Sequence, residues 1–98
     1  MRLFYFSMFY FVYILSNSTD LELYKGYTQN LGQRIIDHNR GNSQFTSVKK
    51  NWKYIAIFEF INKSDALIFE KRIKRLNRRS IDLLIASDQN VISKYSVG

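Results

Sequence analysis

The sequence predicts a small α/β domain of the α+β type, with a three-stranded antiparallel sheet flanked by helices in the order β-β-α-β-α-α. Three observations lead to this prediction. Hydrophobic residues make up 46% of the 98 residues, which is enough for one modest core. Two segments rich in β-branched and aromatic residues precede the first helical pattern, and a short polar turn joins them. Two further helical patterns follow a third such segment.

The first half of the chain predicts a hairpin followed by a helix. A strand is expected from Phe9 to Ser16, where aromatic and β-branched residues dominate. Asn17-Ser18-Thr19-Asp20 supplies turn chemistry before a second strand from Leu21 to Thr28. Asn30 can cap a helix that runs from Leu31 to about Asn39.

The second half predicts a strand and two helices. The polar, basic segment 42–51 is expected to be a loop, and Lys53 to Ile61 is expected to be the third strand. Asn62 can cap a second helix that continues to about Asn77, with Asp65 forming a weak capping box. A short third helix is predicted from Ser80 through Ala86. Residues 87–98 show no clear period, and we expect this C-terminal tail to fray.

The apolar N-terminus is too short for a membrane span. A span needs about 20 apolar residues, and this segment ends at Leu15, before Ser16-Asn17-Ser18. We therefore expect no membrane association. Residues 1–8 are interpreted as an N-terminal extension, and the domain itself is placed at 9–86.

Composition limits the chemistry. The chain has no cysteine, which excludes disulfides and thiolate metal sites and fits a reducing cytoplasm. A single histidine excludes a multi-histidine zinc site. Any metal must then be a hard cation held mainly by carboxylate, phosphate and water.

The charge points to an anionic partner, most commonly a nucleic acid. The formal net charge is +7, although many small bacterial proteins are basic without such a partner. Six basic residues crowd into nine positions between Lys71 and Arg79. The candidate nucleic-acid-binding residues are Lys25, Gly26, Lys49, Lys50, Lys71, Lys74, Arg75, Arg78 and Arg79.

An ordered series of polar residues lies within otherwise apolar segments. Two phenols, a guanidinium, an imidazole and a carboxylate are suited to phosphodiester hydrolysis. Its members in chain order are Tyr13, Tyr24-Lys25-Gly26, Arg34, His38 and Glu70. Each alone has an ordinary structural explanation, such as packing, capping or a surface ion pair. Together, in this order, they are far harder to attribute to chance.

Helical and strand periods predict how the series is arranged. Arg34 and His38 are four residues apart and share one helix face. Glu70 is expected at the edge of the buried stripe of the second helix, with its basic neighbours Lys71, Lys74 and Arg75 on the opposite side. A glycine within a strand often marks close approach by a ligand, so Gly26 is expected to leave room for a phosphate beside Tyr24.

The series resembles the GIY-YIG nuclease domain from about Phe9 to about Leu84, and most closely its small stand-alone bacterial members. Phe11-Val12-Tyr13 stands for the first motif and keeps only the tyrosine, and Tyr24-Lys25-Gly26 stands for the second. Lysine replaces the usual aliphatic residue there, and strand alternation should turn it away from Tyr24, toward the surface or a phosphate. The family's downstream asparagine has no clear counterpart.

The resemblance implies one-metal hydrolysis. Glu70 would hold Mg²⁺ or Mn²⁺, Tyr13 would act as the general base, and Arg34 would stabilise charge on the phosphate. Tyr24 would position the water or the phosphate. A free phenol with a pKa of about 10 needs help to act as a base, from the cation, Arg34 or a hydrogen bond to His38.

Three functions remain open from sequence. The first is a DNA endonuclease that selects structure more than sequence, in repair or recombination. The second is a nucleic-acid-binding module that keeps the fold without the activity. The third is an adaptor, for which residues 1–8 are the candidate apolar patch. Glu70 distinguishes the first from the second, because binding alone does not require it.

Overall fold

The protein is described by a computed structural model that covers residues 9–17, 22–40 and 51–95. The predicted class and element order are confirmed. The strands are β1 (Tyr10–Ser16), β2 (Leu23–Thr28) and β3 (Lys53–Phe60), and the helices are α1 (Leu31–Asn39), α2 (Lys63–Ile73) and α3 (Arg78–Ile85). A short 3₁₀ turn, Ile92–Lys94, follows.

Several sequence predictions lie outside the described residues. They are the N-terminal extension 1–8, most of the first turn, most of the loop 42–51 with Lys49 and Lys50, and the last three residues. Within the part of the chain that the structure covers, no helix is both long and apolar enough to cross a bilayer.

The sheet has the order β2-β1-β3, and both pairings are antiparallel. The central strand β1 is buried from Phe11 through Ser16, because neighbouring strands and packed helices enclose it. Its register places Tyr13 directly opposite Gly26 on β2 and Ile57 on β3. The edge strand β2 makes no other pairing within the described sheet.

Alternation along β1 divides the core into two layers. Phe11, Tyr13 and Leu15 face one layer, where Leu31 of α1 packs. Val12 and Ile14 face the other layer, which α2 and α3 cover. Tyr13 therefore points toward α1, the helix that carries two other residues of the polar series.

Asparagine caps explain where the helices begin. Asn30 accepts a hydrogen bond from the Gln33 amide at 3.0 Å, and Asn62 accepts one from the Asp65 amide at 2.8 Å. The Asn62 side chain also donates to the Asp65 carboxylate at 3.1 Å. This bond joins two side chains, so it differs from the predicted capping box, in which the carboxylate accepts from the backbone amide of the cap residue.

The boundary between the last two helices differs from the prediction. α2 ends at Ile73 rather than near Asn77, and α3 begins at Arg78 rather than Ser80. The reason is that Asn77 accepts a hydrogen bond from the Ser80 amide at 2.9 Å and so caps α3. Leu76 lies in the turn between the helices, but it keeps the apolar spacing of α2 and packs against the core. This spacing is why the sequence predicts that the second helix continues to about Asn77.

The C-terminal segment is packed on the sheet as far as Tyr95, contrary to the expected fraying. The Val91 amide donates to the carbonyl of Ile57 at 2.8 Å. The Asn90 side chain accepts from the amide of Ile57 at 3.0 Å and donates to two further backbone carbonyls. Tyr95 packs edge-on against Phe11, with the ring centroids 5.5 Å apart. Tertiary hydrogen bonds therefore order a segment that shows no periodic pattern.

Candidate active site

Tyr13 and His38 form a buried hydrogen-bonded pair at the centre of the site. The Tyr13 hydroxyl lies 2.9 Å from His38 Nε2. Tyr13 comes from the middle of β1 and His38 from the last turn of α1, and each is only 1% exposed. A hydrogen bond between these two residues is one of the three interactions that the sequence analysis names as able to assist Tyr13 as a general base.

Tyr24 and Tyr54 complete an aromatic cluster around that pair. The centroid of the Tyr24 ring lies 4.7 Å from that of the His38 ring and 6.2 Å from that of the Tyr13 ring. The Tyr54 ring stands perpendicular to that of Tyr13 at 5.4 Å, and its hydroxyl donates to the Leu31 carbonyl at 2.7 Å. Sequence reasoning missed Tyr54, although alternation along β3 places it on the α1 face. Tyr24 is partly exposed, which separates it from Tyr13 and His38.

Gly26 makes room for Tyr13 rather than for a phosphate. A β-carbon at position 26 would lie 2.6 Å from Tyr13 Cζ and 3.0 Å from Tyr24 Cε2. Because Tyr13 sits directly opposite on β1, its phenol covers the glycine and fills the space. The expected gap beside Tyr24 is therefore occupied by a side chain of the protein itself.

Burial sets the protonation states of the cluster. Burial, followed by the neighbouring Tyr24, raises the pKa of Tyr13 far above that of a free phenol, and the positive charge of Arg34 offsets only part of the rise. Burial also raises the pKa of Tyr54. Burial and then Arg34 lower the pKa of His38. At neutral pH the pair is thus a neutral phenol and a neutral imidazole.

Arg34 is a partly exposed cation beside this neutral cluster. Its charge acts on three surrounding groups, Tyr13, His38 and Tyr54. No carboxylate forms an ion pair with it in the described ranges. A guanidinium offers several donors in a plane that matches phosphate oxygens. The site therefore holds an available anion-binding group near the Tyr13–His38 pair.

Glu70 lies on α2 with 18% of its side chain exposed, and Lys74 Nζ is 3.1 Å from its Oε2. The prediction that Lys74 points away from Glu70 is therefore wrong. Residues four apart on a helix differ by only about 40° around its axis, so they share a face. The charge of Glu70 contributes slightly to the raised pKa of both Tyr13 and Tyr27, which places it near the sheet.

Glu70 is suited to a hard cation that brings its other ligands with it. Among the described residues no cluster of three or more histidine, aspartate or glutamate side chains could hold a metal. Mg²⁺ keeps several waters and commonly binds one or two carboxylates together with substrate phosphates. A single carboxylate such as Glu70 fits that chemistry and does not fit a zinc site.

The basic residues are distributed unevenly. Lys71, Arg75 and Arg79 are exposed, whereas Lys74 is paired with Glu70. Lys25 points away from Tyr24 as predicted, but it is half-buried rather than on the open surface. Lys25 and Arg78 lie 53 positions apart in sequence and line one depression beside β2. The sequence analysis names both residues as candidate contacts to nucleic acid, but it does not predict that they line the same depression.

The fold and this site define a nuclease-type domain, and family comparison agrees. Residues 9–82 match the model of the GIY-YIG catalytic domain. The match covers most of the chain, and the protein belongs to the GIY-YIG family. The motif residues of the sequence lie within the matched range, and Tyr13, Tyr24 and His38 are in contact in the structure.

The chain is also similar to UPF0213 proteins. It is 40% identical over 70 residues to one from Oceanobacillus iheyensis, covering 70% of this chain and 80% of the relative. It is 40% identical over 81 residues to the UPF0213 protein YsiG of Lactococcus lactis, covering 81% and 77%. The solution NMR structure of a UPF0213 protein from Bacillus halodurans superposes with a TM-score of 0.55 at 29% identity, covering 84% of this chain and 87% of that one.

Proposed function

We propose that this protein is an endonuclease that hydrolyses DNA phosphodiester bonds with Mg²⁺ or Mn²⁺ and selects DNA structure more than sequence. Repair or recombination in the cytoplasm is the proposed setting. The observation that carries the proposal is Arg34. It is a partly exposed cation without an ion-pair partner in the described residues, and its charge acts on the neutral Tyr13–His38 pair, against which Tyr24 packs.

The geometry divides the roles differently from the sequence-based expectation. Tyr13 is 1% exposed, and burial raises its pKa, so a phenolate there is costly at neutral pH. We therefore assign Tyr13 to positioning: it holds His38, and both rings support Tyr24. Tyr24 is the accessible phenol and orients the attacking water or a phosphate oxygen. Arg34 binds the phosphate and stabilises the charge that develops in the transition state.

Glu70 would hold the divalent cation. The bound cation would acidify a water and offset phosphate charge, which removes the need for a phenolate base. The ion pair with Lys74 keeps the Glu70 carboxylate oriented before metal binds. Because Lys74 is half-exposed, it can move away when a cation takes its place.

The chemistry of the candidate contacts supports structure selectivity as part of the proposal. The candidate contacts are lysines and arginines, which bind backbone phosphates and position DNA without reading its sequence. Affinity should then fall steeply with salt.

The test is cleavage of flapped, branched, duplex and single-stranded DNA by the purified protein, with Mg²⁺, Mn²⁺ or EDTA. We expect metal-dependent cleavage that favours flapped or branched DNA and leaves 5′-phosphate and 3′-hydroxyl ends, as the family resemblance implies. Equal cleavage in EDTA would contradict metal dependence. DNA binding without cleavage of any substrate would favour the binding module instead.

A further inference from the structure

A depression of about 230 Å³ lies between the edge strand β2 and the start of α3. Its lining brings two cations together with three apolar side chains. The lining residues are Leu23, Lys25, Leu76, Arg78 and Ile81. Strand alternation places Lys25 on the opposite face of β2 from Tyr24, so this depression is separate from the cluster of Tyr13, Tyr24 and His38.

Lys25 is the more unusual of the two cations. It is half-buried against apolar walls that include Ile81, itself 1% exposed. No ion pair to Lys25 forms in the described part of the chain. Because no carboxylate of the described residues pairs with it, Lys25 can pair with a bound anion.

Arg78 brings a second set of donors to the same depression. Its Nε donates to Asp82 at 3.0 Å, which fixes the guanidinium from one side. The terminal nitrogens of a guanidinium carry further donors, and their planar arrangement suits phosphate oxygens. Two cations from distant parts of the sequence thus line the same depression.

The depression is well placed for a polymer that also occupies the active site. Lys25 directly follows Tyr24 in the chain, on the edge strand of the sheet. A linear polyanion that crosses this edge could contact Arg34 and Tyr24 on one face and Lys25 and Arg78 on the other. The exposed residues Lys71, Arg75 and Arg79 extend the positive charge along α2 and α3.

We propose that Lys25 and Arg78 together bind one backbone phosphate of the nucleic acid, at a subsite outside the point of cleavage. The identity of the polymer rests on the proposed function, but the subsite does not require cleavage. A phosphate held there would fix how the strand crosses β2, and therefore which bond reaches Arg34.

The test measures binding of a fluorescein-labelled flapped DNA by anisotropy over a series of salt concentrations. The protein is the full chain carrying Glu70→Gln, without divalent cation, so that no cleavage occurs. Lys25→Met and Arg78→Gln are compared singly and together. Lys63→Met is the matched control, because Lys63 is an exposed lysine at the start of α2. Circular dichroism confirms folding, and Lys25→Arg keeps the charge.

Loss of one duplex phosphate contact should lower the slope of log affinity against log salt by about 0.9. We expect that loss in each single variant, no further loss in the double variant, and wild-type slopes for Lys63→Met and Lys25→Arg. Unchanged slopes, a change in only one single variant, or an additive loss near 1.8 in the double variant would each overturn the shared subsite. Cleavage by the wild type is scored separately, so failure of the subsite and failure of the nuclease function remain distinct.

Discussion

Tyr13 and Gly26 face each other across β1 and β2, and the phenol of Tyr13 occupies the space that a side chain at position 26 would need. The glycine of the second motif therefore leaves the space that the tyrosine of the first motif fills. From this position the Tyr13 hydroxyl lies within hydrogen-bond distance of His38 Nε2. This relationship connects two sequence motifs through packing rather than through a shared ligand.

Gly26→Ala should destabilise the fold by about 1–3 kcal/mol, because the added methyl group overpacks a buried ring. Tyr13 Cζ would lie 2.6 Å from the new carbon, and Tyr13 has no room to retreat. Urea unfolding measures the change. Gly32→Ala is the control, because its nearest neighbour would be Asn30 Oδ1 at 3.7 Å. It should stabilise α1 by roughly 0.5–1 kcal/mol. Equal effects at both positions would contradict the packing role of Gly26.

Stability should depend on pH through His38. Burial lowers the pKa of His38 in the folded protein, whereas the unfolded histidine titrates near about 6.5. Between these values the unfolded chain binds more protons, so the free energy of unfolding falls as pH drops below about 6.5, by at most about 1.4 kcal/mol per pH unit. Above that pH the contribution is constant.

Urea titrations at several pH values from 5 to 8 measure this slope. His38→Gln removes the chain's one histidine and should flatten the curve between pH 5 and 6.5. A variant with the wild-type slope would show that other groups cause the acid sensitivity.

Asn90 should contribute strongly to stability although it lies in a segment without regular secondary structure. Its side chain bonds to the backbone of Ile55, Ile57, Ile85 and Ile92. Asn90→Ala should cost about 2–3 kcal/mol in urea unfolding, because partly buried backbone groups lose their partners. Gln89→Ala changes an exposed neighbour and should stay within about 0.5 kcal/mol of wild type. Similar small effects at both positions would refute the anchoring role.

Much of the fold was predictable because local signals agree with the tertiary structure. Asn30 and Asn62 cap the first two helices where their sequence positions indicate. The end of α2 was not predictable from apolar spacing, because Leu76 keeps the period after the helix has stopped. The order of the C-terminal segment depends on Asn90 reaching β3, a long-range contact that leaves no periodic signal.

The candidate site was predictable in composition but not in geometry. The order of its residues pointed to the family, and the family match confirms that recognition. The exposed fraction of each phenol comes only from the packed structure. On that basis we propose a positioning role for Tyr13 instead of the expected general base, whereas Tyr24 keeps the role expected from the sequence. The Glu70–Lys74 ion pair could have been found from the sequence, since an i, i+4 pair of opposite charges shares a helix face.

Tyr24→Phe should slow cleavage more than Tyr13→Phe. Tyr24 is the more exposed phenol of the two and is the one proposed to orient the water or the phosphate, so loss of its hydroxyl should reduce the single-turnover rate on the order of 100-fold. Tyr13→Phe keeps the ring over Gly26 and should cost about tenfold or less in rate, with about 1–3 kcal/mol lost in stability as the partner of His38 disappears. The reverse order of rates, with Tyr13→Phe as stable as wild type, would restore Tyr13 as the general base.

The central claim is that Glu70 holds the cation for phosphodiester hydrolysis. The most direct measurement is the single-turnover cleavage rate of the preferred DNA as a function of Mg²⁺ concentration for wild type, Glu70→Gln and Asp88→Asn. Asp88 is an exposed acid after α3 and serves as the matched control. The account predicts that Glu70→Gln loses at least about 100-fold in rate while still binding DNA, and that Asp88→Asn cleaves like wild type. Cleavage by Glu70→Gln at the wild-type rate would contradict the account.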